Sequence, residues 1–149
     1  PVFMSSLLQV PLAQQLIGPD KAVGILAARK DKLMDAHLQA VGIQLGSNYV
    51  IGGAQDEGRC PEFDHLWYEP KRTNPPGAQY DKAEEEFTSV AVDFFRSHPN
   101  LGAMMLECTG MQPFARAVQR EIEIPIFSWG TLLDYAYSVA VHRDYYGHV

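Results

Sequence analysis

A thiol, a hydroxyl and a glycine stand side by side in Cys108-Thr109-Gly110-Met111. A cysteine becomes a base or nucleophile when its surroundings stabilise the thiolate, and position in the chain indicates whether they do. The preceding run, Leu101 to Leu106, is apolar without alternation and bounded by polar residues, which reads as a strand buried on both faces. An amphipathic helix opened by Pro113 follows. In open α/β sheets ligands collect outside the carboxyl ends of strands, and the next helix aims free N–H groups and positive dipole at that spot. Cys108 is therefore the candidate acid/base, with a pKa expected to be lowered by the helix start. Thr109 and Gly110 are expected to shape a site for a carboxylate. A Thr109-x-x-Gln112 capping box would cost Pro113 an early helical hydrogen bond and is set aside. The competing reading of Cys108 is a small buried hydrophobe at a strand end.

The elements that must position this tetrad follow from periodicity. Ala22 to Ala27 reads as a buried strand, and Asp31 as the cap of a helix carrying Met34, Leu38 and Val41 inward until Gly42 ends it. Tyr49 to Gly53 is a second strand, followed by an irregular stretch from Gln55 to Gly77 rich in Pro, Gly and charge. Phe63, His65, Trp67 and Tyr68 in that stretch either cover a site or pin the loop to the core. Tyr80, Ala83, Phe87, Val90 and Phe94 repeat at helical spacing and predict a helix from Tyr80 to His98, with Glu84-Glu85-Glu86 as solvated surface. Phe114, Val118 and Ile122 mark the next helix, Ile124 to Phe127 a strand, and Leu132, Ala136 and Val139 a last helix. Strand and helix alternate, which predicts an α/β fold: an open parallel sheet with helices on both faces and right-handed crossovers.

The 149 residues suffice for a domain with a real core and no staples. A net charge of -6 argues against nucleic acid or anionic membrane as partner, and a small-molecule substrate fits better. No stretch reads as a membrane span or signal peptide, so a cytoplasmic protein is expected, in which Cys60 and Cys108 are free thiols rather than a bridge. His37, His65, His98, His142 and His148 show no paired spacing suited to a metal, and Gly52-Gly53 lacks the spaced glycines of a nucleotide fingerprint.

The opening of the chain echoes a later part. Pro1-Val2-Phe3 followed by Ser5 to Ile17 resembles Pro125-Ile126-Phe127 followed by Thr131 to Val141, a strand and then a helix. Duplication and chance both explain so short a repeat. Under duplication, residues 1–20 are the last strand and helix of an incomplete first half, residues 21–149 form a second α/β half, and further sequence is expected upstream.

Several stretches resemble the aspartate/glutamate/hydantoin racemase superfamily: Ser5 to Leu12, Val23-Gly24-Ile25-Leu26, Leu106-Glu107-Cys108-Thr109-Gly110-Met111-Gln112-Pro113-Phe114-Ala115, Pro125-Ile126-Phe127, and Thr131 to Tyr137. Leu-Glu-Cys-Thr is the most specific. The resemblance implies one half of a pseudo-symmetric two-half fold with its active site in the cleft, no cofactor, and one catalytic cysteine per half. Cys108 would be that of the later half, and its counterpart would lie upstream of Pro1. It implies a racemase or isomerase acting on the α-carbon of an amino acid or related carbon acid by cysteine acid/base catalysis. Members often carry threonine after the Gly-x-Leu strand, where this chain has Ala27 and Ala28 as its substrate-flanking residues. Gly110 stands where several branches have His, Glu or Asn, which leaves a hydantoin or another carbon acid open as substrate.

Removing an α-hydrogen from one face and returning a proton to the other needs an acid/base on each. Cys60 is either a second base or incidental, and Pro1, as a free secondary amine, would be another base. The second functional class is a non-catalytic racemase-like domain that binds a small carboxylate or assembles with another chain. Either class is expected to form a homo-oligomer.

Overall fold

The computed structural model describes residues 2–68 and 70–147, the side chain of Trp67 apart. The roles considered for Pro1, His148 and the Trp67 side chain therefore fall outside the described residues. Strands β1 (Ala22–Ala27), β2 (Tyr49–Gly53), β3 (Leu101–Leu106) and β4 (Ile126–Phe127) form one parallel sheet in the order β2-β1-β3-β4. The α-helices are α1 (Val10–Ile17), α2 (Asp35–Ala40), α3 (Pro61–Trp67), α4 (Tyr80–Ser97), α5 (Ala115–Ile122) and α6 (Trp129–Ala140). This is an α/β fold with an open parallel sheet.

Alternation along the strands separates two cores. Val23, Ile25 and Met105 point to one face and pack with Leu7, Val10 and Ala13 of the N-terminal segment and Leu38 of α2. Leu26, Met104 and Leu106 point to the other and pack with Phe87 and Val90 of α4 and Val118 and Ile122 of α5. Because both faces are covered, β1 is buried along its whole length, as its unbroken apolar run predicts. Gly24 and Gly52 let α4 come close: a Cβ at either would lie within 2.9 or 2.8 Å of the Phe94 ring.

Local chemistry accounts for several departures from the periodicity. Asp31 pairs with Arg29 and Lys32 instead of capping a helix, so Lys30–Lys32 forms a 3₁₀ turn, α2 starts only at Asp35, and Met34 is exposed. Gly42, at φ +81°, does end that helix: Gly42 N–H donates to Gln39 C=O and Ile43 N–H to Leu38 C=O, a Schellman closure. The stretch expected to be irregular contains α3, begun by Pro61 with Glu62 and Asp64 in its first turn. β4 is shorter than expected because Pro125 has no N–H to pair, although its carbonyl accepts from Met104 N–H at 2.9 Å. Val2 and Phe3 form no strand, whereas the helix expected after them is present as a 3₁₀ turn, Ser6–Gln9, running into α1. On α6 only Leu132 is buried, and Leu133, Tyr137 and Val139 are exposed, so the inward face expected at Leu132, Ala136 and Val139 holds only at its first position.

No helix among the described residues is long and apolar enough to cross a membrane.

Candidate active site

The strand order places β2 and β4 on opposite sides of the β1–β3 pair, so the chain leaves β1 in one direction and β3 in the other. α2 follows β1 on one face, and α5 follows β3 on the other. That reversal opens a crevice at the carboxyl ends of β1 and β3, the place where open α/β sheets bind ligands. A cavity of about 450 Å³ lies there. Ala28 and Arg29 enter it from the end of β1, Glu107 from the end of β3, His37 and Val41 from α2 and its end, and Tyr68 from just past α3. Leu7, Leu33 and Val41 give it apolar walls.

The two strand ends are tied together. Glu107 N–H donates to Leu26 C=O at 3.0 Å, continuing the ladder one residue beyond β3. The Glu107 carbonyl accepts from the Ser6 hydroxyl at 2.8 Å and the Trp129 indole N–H at 3.1 Å. These donors come from the N-terminal 3₁₀ turn and the start of α6, which are joined by buried Gln9: its Nε2 donates to Ser128 C=O, and its Oε1 accepts from the Thr131 hydroxyl. Through its N–H and its carbonyl, Glu107 is thus held by three elements far apart in sequence.

Strand alternation sends the two side chains opposite ways. Glu107 follows Met105 toward the cavity, and Cys108, partly buried, packs against the core beneath α4 and α5. Ala28 lines the cavity, Ala27 is buried beside it, and Cys108, Thr109 and Gly110 are the three residues after Glu107, outside the cavity lining.

The helix start expected at Pro113 is displaced. Thr109–Phe114 is a 3₁₀ segment with Pro113 inside it, and α5 begins only at Ala115, about two 3₁₀ turns away from the thiol. Gln112 makes no capping box with Thr109 and accepts instead from Gly130 N–H at 2.8 Å. Consequently the Cys108 pKa is raised, not lowered. Burial pushes it up and the Glu107 carboxylate adds to this, while the Gly110 N–H and the Thr109 hydroxyl pull it down less strongly. Cys60 is buried in the core, and burial first, then Glu86, pushes its thiol up to about 12.

A raised thiol pKa lowers the thiolate fraction at neutral pH, and thiolate is the species that alkylates. Iodoacetamide is therefore expected to modify Cys108 more slowly than free cysteine near neutrality, with a rate that keeps climbing above the ordinary thiol range. Cys60 should react only on unfolding. Peptide mapping after timed alkylation checks both, and Cys108 labelling at the free-cysteine rate at neutral pH would contradict the environment described.

Three of the four aromatics expected in the stretch from Gln55 to Gly77 are described, and they divide by role. Phe63 is core, stacked on Phe87 with ring centroids 6.3 Å apart. His65 lies by Glu62 at 3.5 Å, and Tyr68 lines the cavity. The Arg29 guanidinium lies 5.4 Å from the Tyr68 ring centroid. Asp64, 4% exposed, accepts from Gln55 at 2.6 Å and Lys71 at 2.8 Å, tying α3 to the segment after β2. A second cavity, of about 660 Å³, shares Arg29, Gln55 and Tyr68 as a common wall. Periodicity missed Glu107 and Arg29 as cavity residues. The signal was available in the parity of 105 and 107, and in the position of Arg29 just past β1.

No group of three or more His, Cys, Asp or Glu residues suited to a metal ion occurs among the described residues.

Comparison with known proteins gives one informative likeness. The chain is 28% identical over 133 residues to a dimethylsulfoniopropionate lyase of Durusdinium sp. clade D, a match covering 85% of this chain and 40% of that lyase. No protein-family model matches the chain, and no solved structure does. The relative is an enzyme, and its name is that of a lyase. This overturns the expectation of a racemase or other isomerase: the activity named for the relative eliminates a group from its substrate and does not invert a stereocentre.

Proposed function

We propose that this chain forms part of a lyase that acts on a small sulfonium carboxylate of the dimethylsulfoniopropionate kind. The observation that carries the reading is a cavity at the β1–β3 switch point with both signs of charge on its walls, Glu107 against Arg29 and Lys32, and a cysteine one residue beyond it. Such walls suit a zwitterion. The likeness to the lyase supplies the reaction class.

The chemistry is a β-elimination. A base takes a proton from the carbon next to the carboxylate, the electron pair left behind forms the carbon–carbon double bond, and the carbon–sulfur bond breaks. Dimethyl sulfide leaves with that bond's pair, and acrylate remains. The sulfonium is already a good leaving group, so the demanding step is removal of the weakly acidic α-hydrogen. Cys108 is the proposed base: in the empty site its side chain packs on the face opposite the cavity, so it has to turn toward the α-hydrogen on binding, with Thr109 and Gly110 supporting its thiolate and Ala27 and Ala28 flanking the substrate. Although burial keeps the empty-site thiol protonated, a cation bound in the adjoining cavity favours loss of that proton. Arg29 and Lys32 would hold the substrate carboxylate.

We also propose that the architecture is that of the aspartate/glutamate/hydantoin racemase superfamily, without the racemising activity. A parallel sheet with a cysteine just past β3 supports this, and removal of a proton next to a carboxylate is a step the two reaction classes share.

The test uses protein purified from its natural source, incubated with dimethylsulfoniopropionate. Gas chromatography of the headspace should show dimethyl sulfide in step with acrylate in solution. Absence of both, from folded protein, would sink the proposal.

A further inference from the structure

We propose that Glu107 is the residue by which this cavity selects a positively charged substrate, its carboxylate receiving an alkylated cation such as a sulfonium while the substrate carboxylate lies toward Arg29 and Lys32. The inference rests on the lyase reading above and adds to it a specificity-determining residue.

The placement of Glu107 is enforced. Its N–H is bonded to β1, its carbonyl to Ser6 and Trp129, and strand parity turns its side chain to the cavity face. Among the described residues its carboxylate makes no hydrogen bond and no salt bridge, although it is partly buried. Burial pushes its pKa up, and His37 only partly offsets this. A partly buried carboxylate without a protein partner is free to pair with a ligand, and sites that hold one commonly use it so.

Each cationic side chain at the cavity is engaged elsewhere. Arg29 bonds Asp31 at 3.2 Å and lies over Tyr68, and Lys32 reaches the same Asp31 at 3.4 Å. The Nδ1 atom of His37 is occupied by the Met34 N–H, which it accepts at 3.1 Å. Arg29 and Lys32 share the single Asp31 carboxylate, which leaves them charge for a substrate carboxylate, whereas Glu107 has no partner among the described residues in a cavity walled by Leu7, Leu33 and Val41. An alkylated cation has no N–H to satisfy and carries methyl groups. It needs a negative charge and apolar walls, and this cavity offers both.

The test is calorimetric, with two ligands that cannot undergo β-elimination: dimethylsulfonioacetate and its isostere isovalerate, which keeps the carboxylate and lacks the sulfonium charge. The wild-type protein should bind the sulfonium at least about tenfold more tightly, an ordinary yield for a charge pair in a partly buried site. Glu107→Gln should bring that ratio close to one while isovalerate affinity holds or rises. Glu107→Asp keeps the charge and should keep most of the preference, which guards against a misfolded glutamine variant. A preference that survives Glu107→Gln overturns the proposal, as does an equal loss of affinity for both ligands. The sulfide assay separates the two readings. Sulfide release with an unchanged preference in Glu107→Gln removes Glu107 and leaves the lyase standing. A collapsed preference without sulfide release removes the lyase and leaves the cation site.

Discussion

Cys108→Ser is expected to lower dimethyl sulfide release by about a hundred- to ten-thousand-fold, the usual worth of a positioned acid/base. Serine preserves the shape of the side chain, so the loss is chemical. Its hydroxyl is far less acidic than a thiol, even one whose pKa burial has raised. Folding should be unaffected, because Cys108 is only partly buried and the peptide it follows is fixed by Ser6 and Trp129 rather than by the sulfur. Far-ultraviolet circular dichroism and a melting curve establish the fold, and headspace chromatography reads the rate. Cys60→Ala, whose thiol lies in the core, should cost stability and leave the rate per folded molecule near wild type. Release by Cys108→Ser at the wild-type rate would remove the cysteine from the mechanism.

Phe87→Ala is expected to destabilise the fold by about 3–5 kcal/mol, the range for truncating a buried aromatic. Phe87 has no exposed surface and sits between Phe63 of α3 and Phe114 of the 3₁₀ turn, with ring centroids 6.3 and 5.7 Å away. Removing it opens a void where α3, α4 and the turn after Cys108 meet, and rigid neighbours fill such voids poorly. In a chain of this length the midpoint of thermal unfolding should fall by on the order of 10 °C. Urea denaturation followed by tryptophan fluorescence measures the change. A loss under about 1 kcal/mol would mean that this core relaxes around the gap.

The damage should also reach function, because the Phe87 cluster supports the segment carrying Thr109 and Gly110. Stability and site geometry share side chains here, and they do so on the face opposite the cavity.

Much of the architecture was legible in the chain. Leu101–Leu106 and Tyr49–Gly53 occur at the residues their apolar runs mark, and Tyr80–Ser97 ends one residue before the predicted limit. Periodicity succeeds at such elements because burial of a face is what stabilises them. The reading failed where local polar chemistry outweighed periodicity. Asp31 went into ion pairs and delayed α2, and Pro113 fell inside a 3₁₀ turn rather than at a helix start. Val139 looked inward by spacing, yet it is 47% exposed, and on α6 only Leu132 is buried.

Order of strands and helices, and the cysteine just past a buried strand, were determined by the sequence itself, since they depend on hydrophobic spacing along a short stretch of chain. The environment of that cysteine was decided by the tertiary structure. Whether a thiol is raised or lowered depends on how burial balances nearby N–H groups and charges, and at Cys108 burial prevails. Likewise the meeting of Ser6, Glu107 and Trp129 brings together three parts of the chain that no spacing rule connects. Local sequence sets which face a residue occupies. Only the packed sheet sets which charges share a cavity, because electrostatic and hydrogen-bond energies depend on distance through space, not separation along the chain.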